Sequence, residues 1–87
     1  NVLIEGHTDN VPYTGATITD NWDLSVKRAT AIVRILQNKG VNPMQITAAG
    51  RSEYVMVGSN ATPEGKAKNR RIEIILAPNL DEIYTQQ

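Results

Sequence analysis

The chain has 87 residues, a length that gives one small domain. Its nine basic and nine acidic side chains cancel, which argues against a non-specific nucleic-acid binder and against a module for acidic membrane surfaces, because both need surplus positive charge. Cysteine is absent and histidine occurs once, as His7. Disulfides, thiolate catalysis and Cys-based metal sites are therefore excluded, a His-ligated zinc site is not favoured, and no cofactor or metal is expected.

The first half of the chain predicts a strand, a loop and a helix. Residues 2–5 are a short apolar run typical of a buried strand, and residues 7–20 form a long polar loop of a kind that is often functional. Apolar residues then recur at spacings of three and four, which predicts an amphipathic helix with this stripe on the core. The stripe consists of Trp22, Val26, Ala29, Val33 and Leu36. Asn21 suits the N-cap, and Gly40 suits a left-handed C-cap.

The second half predicts two further strands and a short helix. A turn opened by Pro43 leads to a strand at residues 46–49, and a strand, helix and strand in this order predict a parallel crossover. Thr62-Pro63-Glu64 is typical of a helix start. Residues 71–77 alternate in polarity, which predicts a strand that packs one face. That face consists of Ile72, Ile74 and Leu76. Residues 80–84 are expected to form a terminal turn.

Polar side chains stand at three places that suit the binding of a zwitterion. Asp9 follows the first strand, at the strand end where open α/β sheets usually bind ligands. Arg28 lies about 100° round the helix from Ala29, at the edge of the core. Asn69-Arg70-Arg71 stands where the short helix meets the last strand. A carboxylate would pair with an ammonium group, and a guanidinium group with a carboxylate, bidentately.

These segments occur in the order of a known pattern and resemble the OmpA-like, or OmpA/MotB, C-terminal domain. The matching motifs are Gly6-His7-Thr8-Asp9, Asn21-Trp22-Asp23-Leu24-Ser25-Val26-Lys27-Arg28-Ala29, Gly40 and the run from Asn60 to Glu73 that contains Asn69-Arg70-Arg71-Ile72-Glu73. The resemblance implies an α/β, or α+β, two-layer sandwich with a mixed β-sheet and helices on one face. It assigns residues 1–77 to the domain and residues 78–87 to a C-terminal tail.

The resemblance also implies a function, which is non-covalent binding of peptidoglycan through the meso-diaminopimelate of its stem peptide. Such a domain anchors an envelope protein to the cell wall, on the periplasmic side of a diderm bacterium, without catalysis. By matching position, Asp9 and Arg28 grip the ammonium and carboxylate of the ligand. The other implied site residues are Thr8, Asn10 and Leu24, which line the pocket, and Asn69 and Arg70, which lie beside it. We expect His7 to be a scaffold residue.

Three alternatives stay open at this point. The domain could belong to a MotB-like flagellar stator and transmit force to the wall. Asp9, Asp20 and Asp23 could instead supply the two carboxylates of a glycosidase that cleaves the glycan, although their spacing marks no pair. Trp22 is interpreted as a core or helix-start residue, and a sugar-stacking role remains possible for it.

The start of the sequence suggests a piece of a longer protein, because Asn1 is not a methionine and residues 2–4 are already a strand core. The family domain normally begins with another strand and helix, which this sequence lacks. We therefore expect an unpaired strand edge at residues 2–4, and stability only within a longer chain or as a homodimer. Any attachment to a membrane would lie in the missing parts.

Overall fold

The computed structural model describes residues 1–76, and its elements follow the predicted order. The strands are β1 (Val2–His7), β2 (Ile46–Gly50) and β3 (Arg71–Leu76), and the helices are α1 (Asn21–Asn38) and α2 (Pro63–Asn69). A single 3₁₀ turn, Pro43–Gln45, leads into β2. The turn expected at residues 80–84 and the boundary between domain and tail lie outside the described residues.

The three strands form one mixed sheet in the order β2-β1-β3. β1 pairs with β2 in parallel, with Val2 opposite Ile46, and with β3 in antiparallel fashion, with Val2 opposite Leu76. This confirms the mixed α+β fold and the parallel crossover. The expected free edge at residues 2–4 was wrong, because β3 returns along the side of β1 that β2 leaves open. Within residues 1–76, the sheet edges are β2 and β3.

α1 packs chiefly on β1 and β2, with small residues at the contact. Ser25 and Ala29 are fully buried, and a Cβ atom added to Gly6 would lie only 2.0 Å from the carbonyl oxygen of Ser25. The buried line of the helix is therefore Asn21, Ser25 and Ala29, whereas Trp22 is half exposed. The predicted stripe was wrong at Trp22 and at Val26, which is 41% exposed, because the close approach to Gly6 turns the line of small residues toward the sheet.

The ends of the helices are set by local hydrogen bonds. The N-cap of α1 is Asp20, whose Oδ1 accepts from the Asp23 N–H at 2.9 Å, so the assignment of Asn21 as N-cap was wrong by one residue. Gly40 has a φ of +97°, as predicted for the C-terminal end of α1. Thr62 caps α2 by accepting from the Gly65 N–H at 3.0 Å, which confirms the predicted helix start.

The residues of β3 become more exposed toward the C-terminal end of the strand. Ile72 is half-buried, but Ile74 is 54% and Leu76 is 76% exposed, so the prediction of one packed face was correct only at the start of the strand. The reason is that α1 covers mainly the other two strands. Neither helix in the described part of the chain is long and apolar enough to span a bilayer.

Candidate functional site

Asp9 lies two residues beyond the end of β1 and is only 6% exposed. Its Oδ1 accepts from the Val11 N–H at 2.9 Å, and its Oδ2 accepts from Nη1 of Arg70 at 2.6 Å. Arg70 comes directly after α2, 61 positions along the chain. The first and last parts of the described chain therefore meet at this carboxylate.

The electrostatic surroundings of Asp9 keep it ionised. Burial raises the pKa of the Asp9 carboxyl, but the hydrogen bond from Arg70, the Val11 N–H and the charges of Arg70 and Lys66 outweigh burial. The pKa therefore lies below its ordinary value of 3.8. Asp9 carries a negative charge at neutral pH and can receive a cationic ligand group.

The backbone that carries Asp9 is held by hydrogen bonds from neighbouring segments. The Thr8 N–H donates to the carbonyl oxygen of Ser52 at 2.9 Å, and the Thr8 hydroxyl donates to the carbonyl oxygen of Asp9 at 2.8 Å. Nδ2 of Asn21 donates to the carbonyl oxygens of Asp9 and Val11, at 3.3 and 3.0 Å. The amide of Asn21 thus fixes the loop rather than capping α1.

A cavity of about 250 Å³ opens beside Asp9, and we call it the ionic cavity. Its lining residues are Thr8, Asp9, Val11, Pro12, Tyr13, Asn21, Leu24, Arg28 and Arg70. Within residues 1–76, the guanidinium group of Arg28 makes no hydrogen bond or ion pair. Since Asp9 and Arg70 neutralise each other, Arg28 leaves the ionic cavity with one surplus positive charge.

Five of the seven residues predicted for the site line the ionic cavity, and the other two do not. The five are Thr8, Asp9, Leu24, Arg28 and Arg70. Asn10 is exposed outside this lining. Asn69 is fully buried, and its Oδ1 accepts from the N–H groups of Val57 and Gly58 at 2.8 and 2.9 Å. Asn69 therefore holds the loop that precedes α2.

Four lining residues were missed by the sequence reasoning: Val11, Pro12, Tyr13 and Asn21. The apolar run Val11-Pro12-Tyr13 within an otherwise polar loop is a signal that could have indicated the wall of a binding cavity. For Asn21, the neighbouring sequence suggests an N-cap and gives no sign that the residue lines a cavity. Its hydrogen-bond partners lie 10 and 12 residues away, so they could not be identified from the neighbouring sequence.

A second cavity of about 250 Å³ adjoins the first, and we call it the aromatic cavity. It shares Pro12, Tyr13 and Asn21 with the ionic cavity. On its other side the rings of Trp22 and Tyr54 lie 5.4 Å apart between centroids, tilted by 36°. Both rings are largely solvent-accessible, with Trp22 50% and Tyr54 67% exposed.

A separate group of charged residues lies around the end of β1, and we call it the paired cluster. Its members are Glu5, His7, Arg51, Arg71 and Glu73. Nε2 of the fully buried His7 lies 3.3 Å from Oε1 of Glu5 and 3.7 Å from Oε2 of Glu73. Arg51 pairs with Glu5 at 3.5 Å, and Arg71 pairs with Glu73 at 2.6 Å. His7 thus joins two strands and lies outside the lining of both cavities.

His7 and the two carboxylates of the paired cluster are the described residues closest to a metal-ligand arrangement, with their ligand atoms within 4.8 Å of one another. Each carboxylate already faces a guanidinium group. A metal ion would therefore compete with arginine for both carboxylates. We interpret the paired cluster as a network of ion pairs that connects β1 to β3 and to Arg51.

The sequence and the fold both match known proteins. The chain is 42% identical to Motility protein B of Bacillus subtilis over 79 residues, 90% of this chain and 30% of that protein. It is 41% identical to the peptidoglycan-binding protein ArfA of Mycobacterium tuberculosis over 75 residues, 86% of this chain and 22% of that protein. The chain thus spans less than a third of the length of these relatives.

The solved C-terminal domain of Helicobacter pylori MotB superposes with a TM-score of 0.83 at 25% identity, covering 98% of this chain and 67% of that one. The sequence model described as the OmpA family matches residues 1–70. This match covers most of the chain, and it agrees with the motifs and with the fold. The chain therefore belongs to the OmpA family.

Proposed function

We propose that this protein binds peptidoglycan non-covalently and that the ionic cavity takes the zwitterionic end of meso-diaminopimelate in the stem peptide. The observation that carries the proposal is the buried, ionised Asp9 in one cavity with the unpaired guanidinium group of Arg28. The M. tuberculosis relative is named a peptidoglycan-binding protein, which supports peptidoglycan as the class of ligand.

The charges of the ionic cavity suit a ligand with one ammonium and one carboxylate group. The ammonium group would share the carboxylate of Asp9 with Arg70, whose side chain is 45% exposed and free to adjust. The carboxylate would then face Arg28 and Arg70, so that no charge in the cavity is left without a partner. Charge-assisted hydrogen bonds of this kind are about twice as strong as neutral ones.

Calorimetry with two stem tripeptides tests the assignment of diaminopimelate. The peptides differ only in the third residue, which is meso-diaminopimelate in one and lysine in the other, so the second lacks one carboxylate. We expect a dissociation constant between about 1 μM and 1 mM for the first. The lysine peptide should bind more weakly by about 1.5–3 kcal/mol, because Arg28 loses its partner. Equal affinities would contradict the assignment.

A matched pair of arginine variants locates the binding. Arg28→Gln should weaken binding of the diaminopimelate peptide by about 1.5–3 kcal/mol. Arg34→Gln removes an exposed guanidinium group from the same helix, outside the ionic cavity, and should leave affinity unchanged. Unfolding of Arg28→Gln should match the parent protein, because this side chain has no partner to lose in the described structure. A loss of affinity in both variants would point to net charge rather than to a site.

We propose binding without cleavage. Incubation of the protein with purified cell wall should sediment the protein with the sacculi and release no muropeptides. Release of soluble fragments would favour the glycosidase alternative. Binding to the wall would also place the protein in the cell envelope, which for a diderm bacterium means its periplasmic side.

A role in a flagellar stator is the second candidate, and the 42% identity to Motility protein B favours it. In that role the same binding would transmit force to the wall. A chimera in which this chain replaces the matched segment of the B. subtilis protein should restore swimming to a B. subtilis strain that lacks Motility protein B. The Arg28→Gln substitution in the chimera should abolish swimming. A chimera that sediments with the wall but does not swim would favour a passive anchor.

A homodimer also belongs to the proposal, because β2 and β3 are edge strands in the described sheet and Ile74 and Leu76 on β3 are exposed. Sedimentation velocity should then give a species of twice the chain mass that dissociates on dilution. A monomer at all concentrations would remove the dimer without affecting the binding proposal.

A further inference from the structure

The aromatic cavity is a binding surface that the ionic cavity does not need. Trp22 and Tyr54 keep half or more of their surface in water, although burial of an aromatic side chain is strongly favourable. Their rings nevertheless lie together at 5.4 Å and form one apolar wall. Exposed apolar surface that is organised rather than scattered is typical of a binding site.

Polar groups surround these rings. Asp20, Glu53 and Thr19 line the same cavity, so it contains carboxylate and hydroxyl groups as well as the apolar wall. A concave site with an aromatic wall and a few polar groups suits a ligand that has an apolar face and polar edges. Amino sugars have this form, because ring C–H groups occupy one face while hydroxyl and acetamido groups point outward.

The position of the aromatic cavity restricts the ligand further. It shares Pro12, Tyr13 and Asn21 with the ionic cavity, so two parts of one molecule can occupy both cavities. In peptidoglycan, the zwitterionic end of diaminopimelate is joined to the amino sugar through its own side chain, two residues and a lactyl group, a flexible tether of about 20 Å when extended that can fold to span two adjoining cavities. The volume of about 250 Å³ lies below the range of drug-sized sites and suits one sugar ring.

We propose that the aromatic cavity binds the N-acetylated amino sugar that carries the stem peptide, with Trp22 and Tyr54 as its stacking wall. The proposal rests on the function proposed above, since the ionic cavity must hold the diaminopimelate of the same molecule. The ionic cavity then binds the peptide and the aromatic cavity binds the glycan of the same molecule. Binding of wall fragments should accordingly depend on the sugar as well as on the peptide.

Calorimetry with and without the sugar tests this. The probes are the diaminopimelate tripeptide and the same tripeptide carrying N-acetylmuramic acid. The sugar should tighten binding between about two- and tenfold, the range of one aromatic contact. Equal affinities of the two probes overturn the sugar site and leave the ionic cavity standing. Failure of the folded protein to bind either probe overturns both proposals.

Variants of the aromatic wall assign the effect to its residues. Tyr54→Ala and Trp22→Leu should abolish the gain from the sugar and leave the affinity for the bare tripeptide unchanged. Met44→Ala truncates a side chain that is 91% exposed and lies outside both cavities, and it should keep the full gain. A gain that survives in both wall variants overturns the proposal.

Tryptophan fluorescence provides a readout that a purely structural role would not move. Trp22 is the only tryptophan of the chain, so its emission reports on the aromatic cavity alone. The sugar-bearing tripeptide should shift the emission of the parent protein, and the bare tripeptide should change it less at equal saturation. Identical changes with both probes overturn a contact between sugar and Trp22.

Discussion

The paired cluster and the ionic cavity hold the same kinds of charged side chain but differ in their charge balance. In the paired cluster, two carboxylates face two guanidinium groups, so the formal charges cancel around His7. In the ionic cavity, the one carboxylate pairs with Arg70, and the second guanidinium group, that of Arg28, is left without a partner. A balanced cluster has every formal charge paired within the fold, whereas the surplus charge of the ionic cavity is the one that the proposed ligand would pair.

The largest effect expected from this comparison is on binding, at Asp9. Asp9→Ala should weaken binding of the diaminopimelate peptide by roughly 2–5 kcal/mol, because it leaves the ligand ammonium group without its buried partner. Glu64→Ala removes an exposed carboxylate of α2 and is the matched control. Calorimetry on both variants measures the difference. An unchanged affinity for Asp9→Ala would show that the ammonium group is held elsewhere.

The next effect is on stability, in the paired cluster. His7→Ala should lower the free energy of unfolding by about 1–3 kcal/mol, because it removes a fully buried side chain and leaves the part-buried Glu5 with one partner fewer. His7→Gln keeps a donor and should lose less. Denaturant unfolding measures the loss, and calorimetry on the folded variant should give the parent affinity within about threefold. A selective loss of binding with normal stability would move His7 into the site.

The third test uses the pKa of Asp9. Because the folded pKa lies below 3.8, the ionised carboxylate contributes its full share of stability above about pH 3.8 and loses it as the pH falls through the folded value. The melting temperature of the parent protein should therefore exceed that of Asp9→Asn by a constant margin from about pH 7 to 5, and the margin should shrink below about pH 4. A margin that persists at the lowest pH would contradict the pairing of Asp9 with Arg70.

The smallest effect is expected at Arg51, on the rim of the paired cluster. Its guanidinium group lies 3.5 Å from Glu5, but the side chain is 49% exposed, so water screens the pair. Arg51→Gln should change the free energy of unfolding by about 1 kcal/mol at most, and the binding affinity not at all. A larger loss in denaturant unfolding would mean that the balance of the paired cluster depends on its exposed member.

Much of the local structure was determined by the sequence itself. The order of strands and helices, the left-handed end of α1 at Gly40 and the start of α2 at Thr62 all follow from interactions within a few residues. Such signals are local because caps and periodic apolar positions act over one or two turns. The motifs also named Asp9 and Arg28, which the structure places in one cavity.

Only the tertiary structure decided which residues meet across the chain. Arg70 reaches Asp9 over 61 positions, and Tyr54 reaches Trp22 from a loop whose path no local pattern predicts. The central place of β1 depends on the return of β3, and the inward turn of the Asn69 amide depends on the loop that it holds. These contacts are set by the packing of distant segments, so the charge balance of each cluster emerges only when the chain is folded.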